Sequence, residues 1–423
     1  TGKGAVEAYH VLSKKFKWMG WMGILSAFFI LFFYCALGGY CIKYTVLNIG
    51  DLFHAGFGAN ALAETAAANG NSLGAEVFGA FMSSPTEAIV YGLIFVALTM
   101  VIVLGGIGGG IEKVCSVGMP ALFVMLLICI IRACTLEGAV DGLKYMFVPG
   151  WAVANGIIDE APGFWRVLTA AGGQMFFSLS LGAGVMITYG SYLDKKQDLG
   201  KSTMIIVGMD TVVALMAGLC VIPGRFALDP NGALGGPELL FITMQNVFDK
   251  MGPAGPVFGI LFYLLVFFAA ISSSISMLEV IVAHFCDKAR EKGKGDRRKL
   301  YSAIVVVICA ALCALVCADG MGSNHISPAE LLGLAGAKLP GWSTSWLGLF
   351  DSVAEGLLMP LGALLMCLMI SWELKPDALR QEILLNGENR PWVYDFFRLC
   401  VKYITPLCML MILYGQISDF FIV

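Results

Sequence analysis

Apolar runs, most of them about 20 residues long or longer, alternate along the chain with polar or glycine-rich segments. A helix needs about 20 mostly apolar residues to cross the roughly 30 Å hydrocarbon core of a bilayer. Nine segments meet this requirement to within a few residues at each end: 18–46, 87–105, 114–132, 165–194, 203–224, 255–287, 300–317, 348–372 and 394–420. The pattern predicts an all-α integral membrane protein in which residues 1–423 form one transmembrane domain with nine helices.

Composition supports the same class. Hydrophobic residues make up 58% of the chain and charged residues 13%, whereas soluble domains contain about 45–50% and about 25%. The alternative, buried helices of a large soluble core, requires amphipathic partner helices, and the sequence contains none. A net charge of −3 argues against a nucleic-acid partner. The 13 cysteines lie mostly inside apolar runs, which is typical of small buried side chains rather than of a disulfide or zinc framework.

Basic residues collect on one side of the nine-helix alternation. The positive-inside rule assigns that side to the cytoplasm, so Thr1 is predicted to be cytoplasmic and Val423 external, in a plasma (bacterial cytoplasmic) membrane. The opposite loops 135–164 and 230–252 are longer and are predicted to carry short helices at the outer mouth. The basic positions behind this prediction are Lys3, Lys14, Lys15, Lys17, Lys195, Lys196, Lys201, the run 288–299, Lys375, Arg380 and Arg390.

The fourth predicted span, 165–194, is too long for a simple crossing and carries the sequence SLSLGAG at 178–184. Glycine and serine lower helix propensity, and glycine permits conformations that interrupt a helix. A helix broken inside hydrocarbon persists only where its freed backbone groups line a cavity or bind a ligand. The alternative is an unbroken helix whose small residues allow tight packing. The pattern alone favours neither.

Serines cluster in the sixth predicted span. Ala269, Ser272, Ser273 and Ser276 follow the spacing of one helical face. Serine hydroxyls in membrane helices commonly donate to the carbonyl of the preceding turn, which is the simpler interpretation. Hydroxyl and carbonyl oxygens together also make a hard-oxygen environment that suits Na⁺.

Two carboxylates lie inside apolar runs. Asp210 is about a third of the way into its span, and Glu279 follows the serine cluster. Intramembrane carboxylates are costly and are usually functional. For Glu279 a hydrogen bond to a neighbouring helix is an equally good interpretation.

Several of these segments together resemble the neurotransmitter:sodium symporter family, of the bacterial leucine-transporter type. GGQMFFSLSLGAGVMITYGSYL resembles its unwound sixth helix and FFAAISSSISMLE its eighth. FFYCALGGY, MDTVVALMAG and LLMPLGALL resemble its third, seventh and tenth helices, and GGIGGGIEK its connection between helices four and five. The resemblance implies an inverted-repeat fold in which this chain supplies family helices three to eleven. It also implies that the family's first two helices precede Thr1.

The resemblance implies roles for individual residues. Tyr34 would reach the substrate carboxylate, the backbone near Phe177 and Ser180 would take the ammonium group, and Phe177 would form a lid. The implied substrate pocket comprises Ile30, Tyr34, Phe177, Ser178, Ser180, Ala183, Ser273 and Met277. One implied sodium site uses Ser178 and Asp210, and a second uses Ala269, Ser272 and Ser273. Gln174 and Asp287 stand at the positions of an outer-gate and an inner-gate residue.

The chain departs from the family pattern at three positions. Asp210 replaces an asparagine found in many members, and Ala214 replaces a hydroxyl that chloride-dependent members carry, so chloride is not expected to be required. Ala354 stands at the position of the external-gate aspartate, with Asp351 or Glu355 as substitutes.

The sequence therefore predicts a sodium-coupled symporter, not an enzyme, that imports a neutral hydrophobic amino acid with an aromatic or long aliphatic side chain by alternating access. Its expected partners are the amino acid, two sodium ions and the lipid bilayer, and a homodimer is compatible with it. A non-transporting channel or scaffold homologue is the alternative. An intramembrane enzyme would need a nucleophile–base pair, and His284 is two turns beyond Ser276.

Overall fold

In a computed structural model of the chain, the residues described are 2–194, 196–228, 235–293, 297–334, 340–374, 379–384 and 391–421. Five positions of the topology prediction lie outside these ranges: Thr1, Lys195, Lys375, Arg390 and Val423. Residues 229–234 and 294–296 also lie outside these ranges, and they include parts of the loop 230–252 and of the basic run 288–299.

The regular elements in these ranges are all helical. In chain order they are α1 (Ala5–Leu12), α2 (Met19–Leu52), α3 (Ala63–Asn69), α4 (Leu73–Met82), α5 (Pro85–Leu104), α6 (Glu112–Cys134), α7 (Ala139–Phe147), α8 (Trp151–Ala154), α9 (Phe164–Ser178), α10 (Val185–Gly190), α11 (Leu199–Leu228), α12 (Gly236–Glu238), α13 (Met244–Lys250), α14 (Gly255–Glu291), α15 (Arg298–Asp319), α16 (Pro328–Leu331), α17 (Trp346–Asp351), α18 (Met359–Leu368), α19 (Arg380–Ile383), α20 (Pro391–Leu399) and α21 (Thr405–Phe421). Wider π-helical turns occupy Ile107–Ile111, Leu239–Thr243, Ser352–Leu358, Met369–Leu374 and Cys400–Ile404.

Within the described part of the chain, eight helical stretches are long and apolar enough to cross a membrane. They correspond to eight of the nine predicted spans. The remaining span, 165–194, forms two helices, α9 and α10, with residues 179–184 between them. Neither helix is long enough by itself to cross a membrane. The predicted external loops do carry short helices, which include α7, α8 and α13.

The longest helices form the centre of the fold. α2 packs against α14 along much of its length and against α5 on another side. Glycines permit the second contact, because a side-chain carbon at Gly39 would lie 2.5 Å from the Gly92 nitrogen on α5. Fully buried aromatic side chains, Tyr40 and Tyr44 on α2 and Tyr263 on α14, fill the interface. The buried face of α2 thus places the middle of that helix beside the middle of α14.

Glu279 is a structural ion-pair partner. Its fully buried carboxylate pairs with Arg298, at the start of α15, and accepts a 2.9 Å hydrogen bond from the Tyr192 hydroxyl. Arg298 also donates to the Val103 carbonyl on α5 at 3.0 Å. A buried carboxylate needs such partners, because an unpaired charge in the interior is strongly destabilising. Of the two interpretations of Glu279, these contacts support the one in which it bonds to neighbouring helices.

The short helix α1 is bound near the C-terminal end of α14. The buried carboxylate of Glu7 on α1 lies 3.0 Å from His284 Nδ1, and the Gly4 N–H donates to Asp287 Oδ2 at 3.0 Å. Burial alone would raise the pKa of Glu7, but the hydrogen bond to His284 and the charge of its ring lower that pKa below its ordinary value of about 4.5. The carboxylate therefore stabilises this contact above the ordinary pKa, and the stabilisation is lost as the pH falls through the lowered pKa.

Replacing Glu7 with glutamine is expected to lower the free energy of unfolding by about 1–3 kcal/mol near neutral pH, because the buried ring loses a charged hydrogen-bond partner. Thermal unfolding of the purified protein at pH 7.5 and at about pH 3, well below the ordinary carboxyl pKa, measures the effect. The difference from wild type should shrink at the lower pH. Glu64→Gln, at an exposed position on α3, is the control and should change little at either pH. An equal loss of stability for the two variants would contradict the assigned role of Glu7.

Candidate functional site

The break between α9 and α10 is built from residues with left-handed backbone conformations. φ is +50° at Ser180, +80° at Gly182 and +72° at Gly184. Glycine is required at 182 for a second reason, since a side-chain carbon there would lie 2.3 Å from the Met359 carbonyl oxygen. Ser180 holds a conformation that non-glycine residues rarely adopt. The predicted interruption is therefore a specific turn packed against α18.

The break brings two helix ends close together. The last carbonyls of α9 accept no hydrogen bond from a following turn of the same helix, and the first N–H groups of α10 have no preceding helical carbonyl to which they can donate. The C-terminal end of α9 therefore carries a partial negative charge, and the N-terminal end of α10 carries a partial positive charge. A zwitterion, with one ammonium and one carboxylate group, matches this pair of ends.

Side chains from three helices meet beside the break. The rings of Tyr34 on α2 and Phe177 on α9 lie 6.3 Å apart between centroids, tilted by 43°. The Tyr34 hydroxyl lies beside the Ser273 side chain on α14. Ile30, one turn before Tyr34, is buried. The structure thus joins predicted pocket residues that are separated by more than 200 positions in the sequence.

The remaining predicted pocket residues differ in accessibility. Ala183 and Met277 are buried, Ser180 is half-buried and Ser178 is exposed. A largely apolar cavity of about 250 Å³ adjoins Tyr34 and Ala269 and extends between α2, α14 and the turn that contains Leu240 and Phe241. Space for a small molecule therefore exists beside Tyr34.

Two sets of oxygen atoms could hold a cation. In the first, the Ser178 hydroxyl donates to Asp210 Oδ1 at 2.7 Å, which links α9 to α11. In the second, the Ser272 hydroxyl donates to the Ala269 carbonyl at 2.8 Å, and Ser273 is the next residue. Carboxylate, hydroxyl and carbonyl oxygens are the ligands that hard cations prefer. Both sets fit a sodium ion carried as a substrate.

The predicted gate residues lie apart from each other. Gln174 is exposed on α9, and Asp287 is near the C-terminal end of α14, where it accepts from Gly4 and lies 3.7 Å from Arg290. The Asp351 and Glu355 carboxyl groups lie next to each other. The gating roles stay predictions.

Two contacts of α10 and of the turn after it with α14 were not predicted. The Tyr189 hydroxyl, on α10, donates to Ser276 Oγ at 2.8 Å, and Tyr192, two residues beyond the end of α10, donates to Glu279. The two acceptors are three residues apart on α14 and therefore share a face of that helix. The tyrosines have the same three-residue spacing, which was the signal available in the sequence.

Comparisons with known proteins show which family and fold the chain resembles. A family model described as the sodium:neurotransmitter symporter family matches residues 85–421. An uncharacterized sodium-dependent transporter of Bacillus subtilis (strain 168), YhdH, is 32% identical over 98% of this chain and 83% of its own length. An uncharacterized sodium-dependent transporter of Haemophilus influenzae is 30% identical over 95% of this chain and 79% of its own length.

A solved structure and a shorter match extend the comparison. The crystal structure of MhsT in complex with L-phenylalanine superposes with a TM-score of 0.76 at 30% identity, covering 98% of this chain and 85% of MhsT. The sodium-dependent nutrient amino acid transporter 1 of Drosophila melanogaster is 29% identical over 39% of this chain and 26% of its own length.

Proposed function

This chain belongs to the sodium:neurotransmitter symporter family, and we propose that it imports a neutral hydrophobic amino acid together with sodium by alternating access. It is a multi-pass, sodium-dependent membrane transporter of that family and not an enzyme. The observation that carries the proposal is the broken helix beside Tyr34, Phe177 and Ser273. A cytoplasmic Thr1, an external Val423 and a homodimer belong to the same proposal.

Recognition of the amino acid uses the two helix ends at the break. The N-terminal end of α10 and the Tyr34 hydroxyl attract the carboxylate, and the carbonyls near Phe177 and Ser180 accept from the ammonium group. The side chain faces Ile30, Ala183 and Met277, which are apolar. A charged substrate side chain would be left unpaired there, at a cost of several kcal/mol.

Sodium binds at two places in this proposal. Ser178 and Asp210 hold one ion, and Ala269, Ser272 and Ser273 hold the other. Ser178 and Ser273 also belong to the substrate pocket, so each sodium site shares a residue with the amino acid. This sharing supports coupling, because occupancy of one ligand changes the geometry that the other meets.

The decisive experiment is accumulation of a labelled amino acid by liposomes that contain the full-length protein and carry an inward sodium gradient. A symporter raises the internal concentration above the external one, whereas a channel only equalises the two and a scaffold moves nothing. Failure of the gradient to drive accumulation would refute the proposed function. MhsT is bound to L-phenylalanine in its structure, which makes that amino acid the first choice of label.

Replacing Ser272 with alanine is expected to raise the sodium concentration at half-maximal amino-acid binding by about five- to thirty-fold, the equivalent of about 1–2 kcal/mol for one lost ligand. Ser274→Ala is the matched control, since Ser274 Oγ donates to the Ala270 carbonyl one residue beyond the proposed ligands. Normal sodium dependence in a folded Ser272→Ala protein would exclude this sodium site.

Chloride should be dispensable. Asp210 supplies a permanent negative charge beside the first sodium site, and Ala214 offers no hydroxyl for a mobile anion. Replacing all chloride with gluconate is expected to leave uptake intact, while replacing sodium with choline should abolish it. A large loss of uptake in gluconate would show that the carboxylate does not substitute for chloride.

The substrate is expected to be large and apolar, because Ala183 adds little volume to the pocket wall and Met277 can repack around different shapes. Tryptophan, tyrosine, phenylalanine, leucine and methionine should displace label better than glycine or alanine in competition assays. Ala183→Phe should shift preference toward smaller amino acids by about ten-fold with sodium dependence unchanged. Stronger displacement by glycine than by phenylalanine in the wild type would contradict the assigned pocket.

A further inference from the structure

Two hydrogen bonds lead from α10 to Ser272, a residue of the second proposed sodium site. The Tyr189 hydroxyl donates to Ser276 Oγ at 2.8 Å, and Ser276 Oγ donates to the Ser272 backbone carbonyl at 3.0 Å. The side-chain hydroxyl of the same Ser272 donates to the Ala269 carbonyl at 2.8 Å. Tyr189 is thus connected through two hydrogen bonds to the backbone of a residue whose side chain is proposed to bind sodium.

Ser276 does more than a serine in a membrane helix usually does. A donation to the carbonyl four residues earlier satisfies such a hydroxyl, and Ser274 makes this bond to Ala270. Ser276 makes the same type of bond, to the Ser272 carbonyl, and also accepts a hydrogen bond from Tyr189 on another helix. Hydrogen bonds in a chain polarise one another in a low-dielectric interior, so the Tyr189 donation strengthens the bond to the Ser272 carbonyl.

The position of α10 makes this contact informative. α10 is six residues long and begins directly after the left-handed Gly184. Two polar links tie α10 and the turn after it to α14: Tyr189 meets the helical turn that contains Ser272, and Tyr192, beyond the end of α10, meets Glu279 nearly one turn further along. Of these two links, the first reaches a residue proposed to bind sodium.

We propose that Tyr189 is a positioning residue for the sodium site formed by Ala269, Ser272 and Ser273, and that it acts through Ser276. Its hydroxyl holds the Ser272 turn in the geometry that binds sodium, and separation of α10 from α14 weakens sodium binding there. The inference rests on the proposed function. Through this link α10, the second half of the broken helix, influences the sodium affinity of a site to which α10 contributes no ligand.

The test is the sodium dependence of amino-acid binding to the purified full-length protein. Tyr189→Phe removes one oxygen atom and keeps the ring. It is expected to raise the sodium concentration at half-maximal binding by about three- to ten-fold, the range for one hydrogen bond. The affinity for the amino acid at saturating sodium should stay within about two-fold of the wild-type value, a change smaller than the loss of one hydrogen bond produces. A purely structural role for the hydroxyl would not separate these two quantities.

Ser276→Ala removes the acceptor without altering α10 and keeps the inference testable if Tyr189→Phe folds poorly. It should reproduce the Tyr189→Phe effect, and the double variant should show no further increase, because both changes interrupt one chain. Additive increases would overturn the inference, since they would mean that the two hydroxyls act separately.

Tyr192→Phe, two residues beyond the end of α10, is the matched control. It removes the neighbouring hydroxyl contact to Glu279, and sodium dependence should stay within about two-fold of wild type, below the effect of one direct hydrogen bond. An increase as large as that of Tyr189→Phe would show a general loosening of α10 and overturn the inference.

Ser272→Ala separates failure of the inference from failure of the proposed site. A changed sodium dependence in Ser272→Ala together with an unchanged one in Tyr189→Phe would overturn the inference and leave the proposed function intact. Unchanged values in both variants would remove the sodium site and the inference with it. Accumulation by the wild-type protein, measured beforehand, tests the function independently of all these variants.

Discussion

Backbone polar groups have no water to bind inside hydrocarbon, and this constraint governs the site. The turn between α9 and α10 satisfies part of the requirement internally, because the Ser180 and Leu181 N–H groups donate to the Phe177 and Phe176 carbonyls at 3.0 Å each. The helix ends on either side remain available to a ligand. The left-handed glycines and the close approach to Met359 hold this turn in place, so the binding chemistry depends on backbone conformation more than on charged side chains.

The same constraint explains the polar contacts between helices. Glu279 can be fully buried because Arg298 and Tyr192 both bind it, and Arg298 is held in turn by Val103. This network joins α5, the turn after α10, α14 and α15. A partner removed from such a network leaves a buried charge unpaired, which costs more than the pair contributes. The chain is thereby anchored just beyond the C-terminal end of α10, while the N-terminal end of α10 borders the turn that packs against Met359.

The sequence predicted well the features that depend on neighbouring residues along the chain. Span length identified eight continuous helices, and the glycine and serine pattern located the break. Partners across helices could not be predicted in the same way. Arg298 entered the sequence analysis only as part of the basic run 288–299, yet it begins α15 and binds Glu279. Helix periodicity states which residues share a face but not which face of another helix they meet, so the contacts of Tyr189 and Tyr192 became visible only in three dimensions.

Under the proposed assignments, each half of the broken helix is tied to a different sodium site by one hydroxyl. The outer half, α9, reaches the first site directly through Ser178 and its hydrogen bond to Asp210 on α11. The inner half, α10, reaches the second site indirectly through Tyr189 and Ser276 on α14. An amino acid bound at the break contacts both halves. Its binding can therefore influence both cation sites without any contact between the two, through one hydrogen bond to the first site and two to the second.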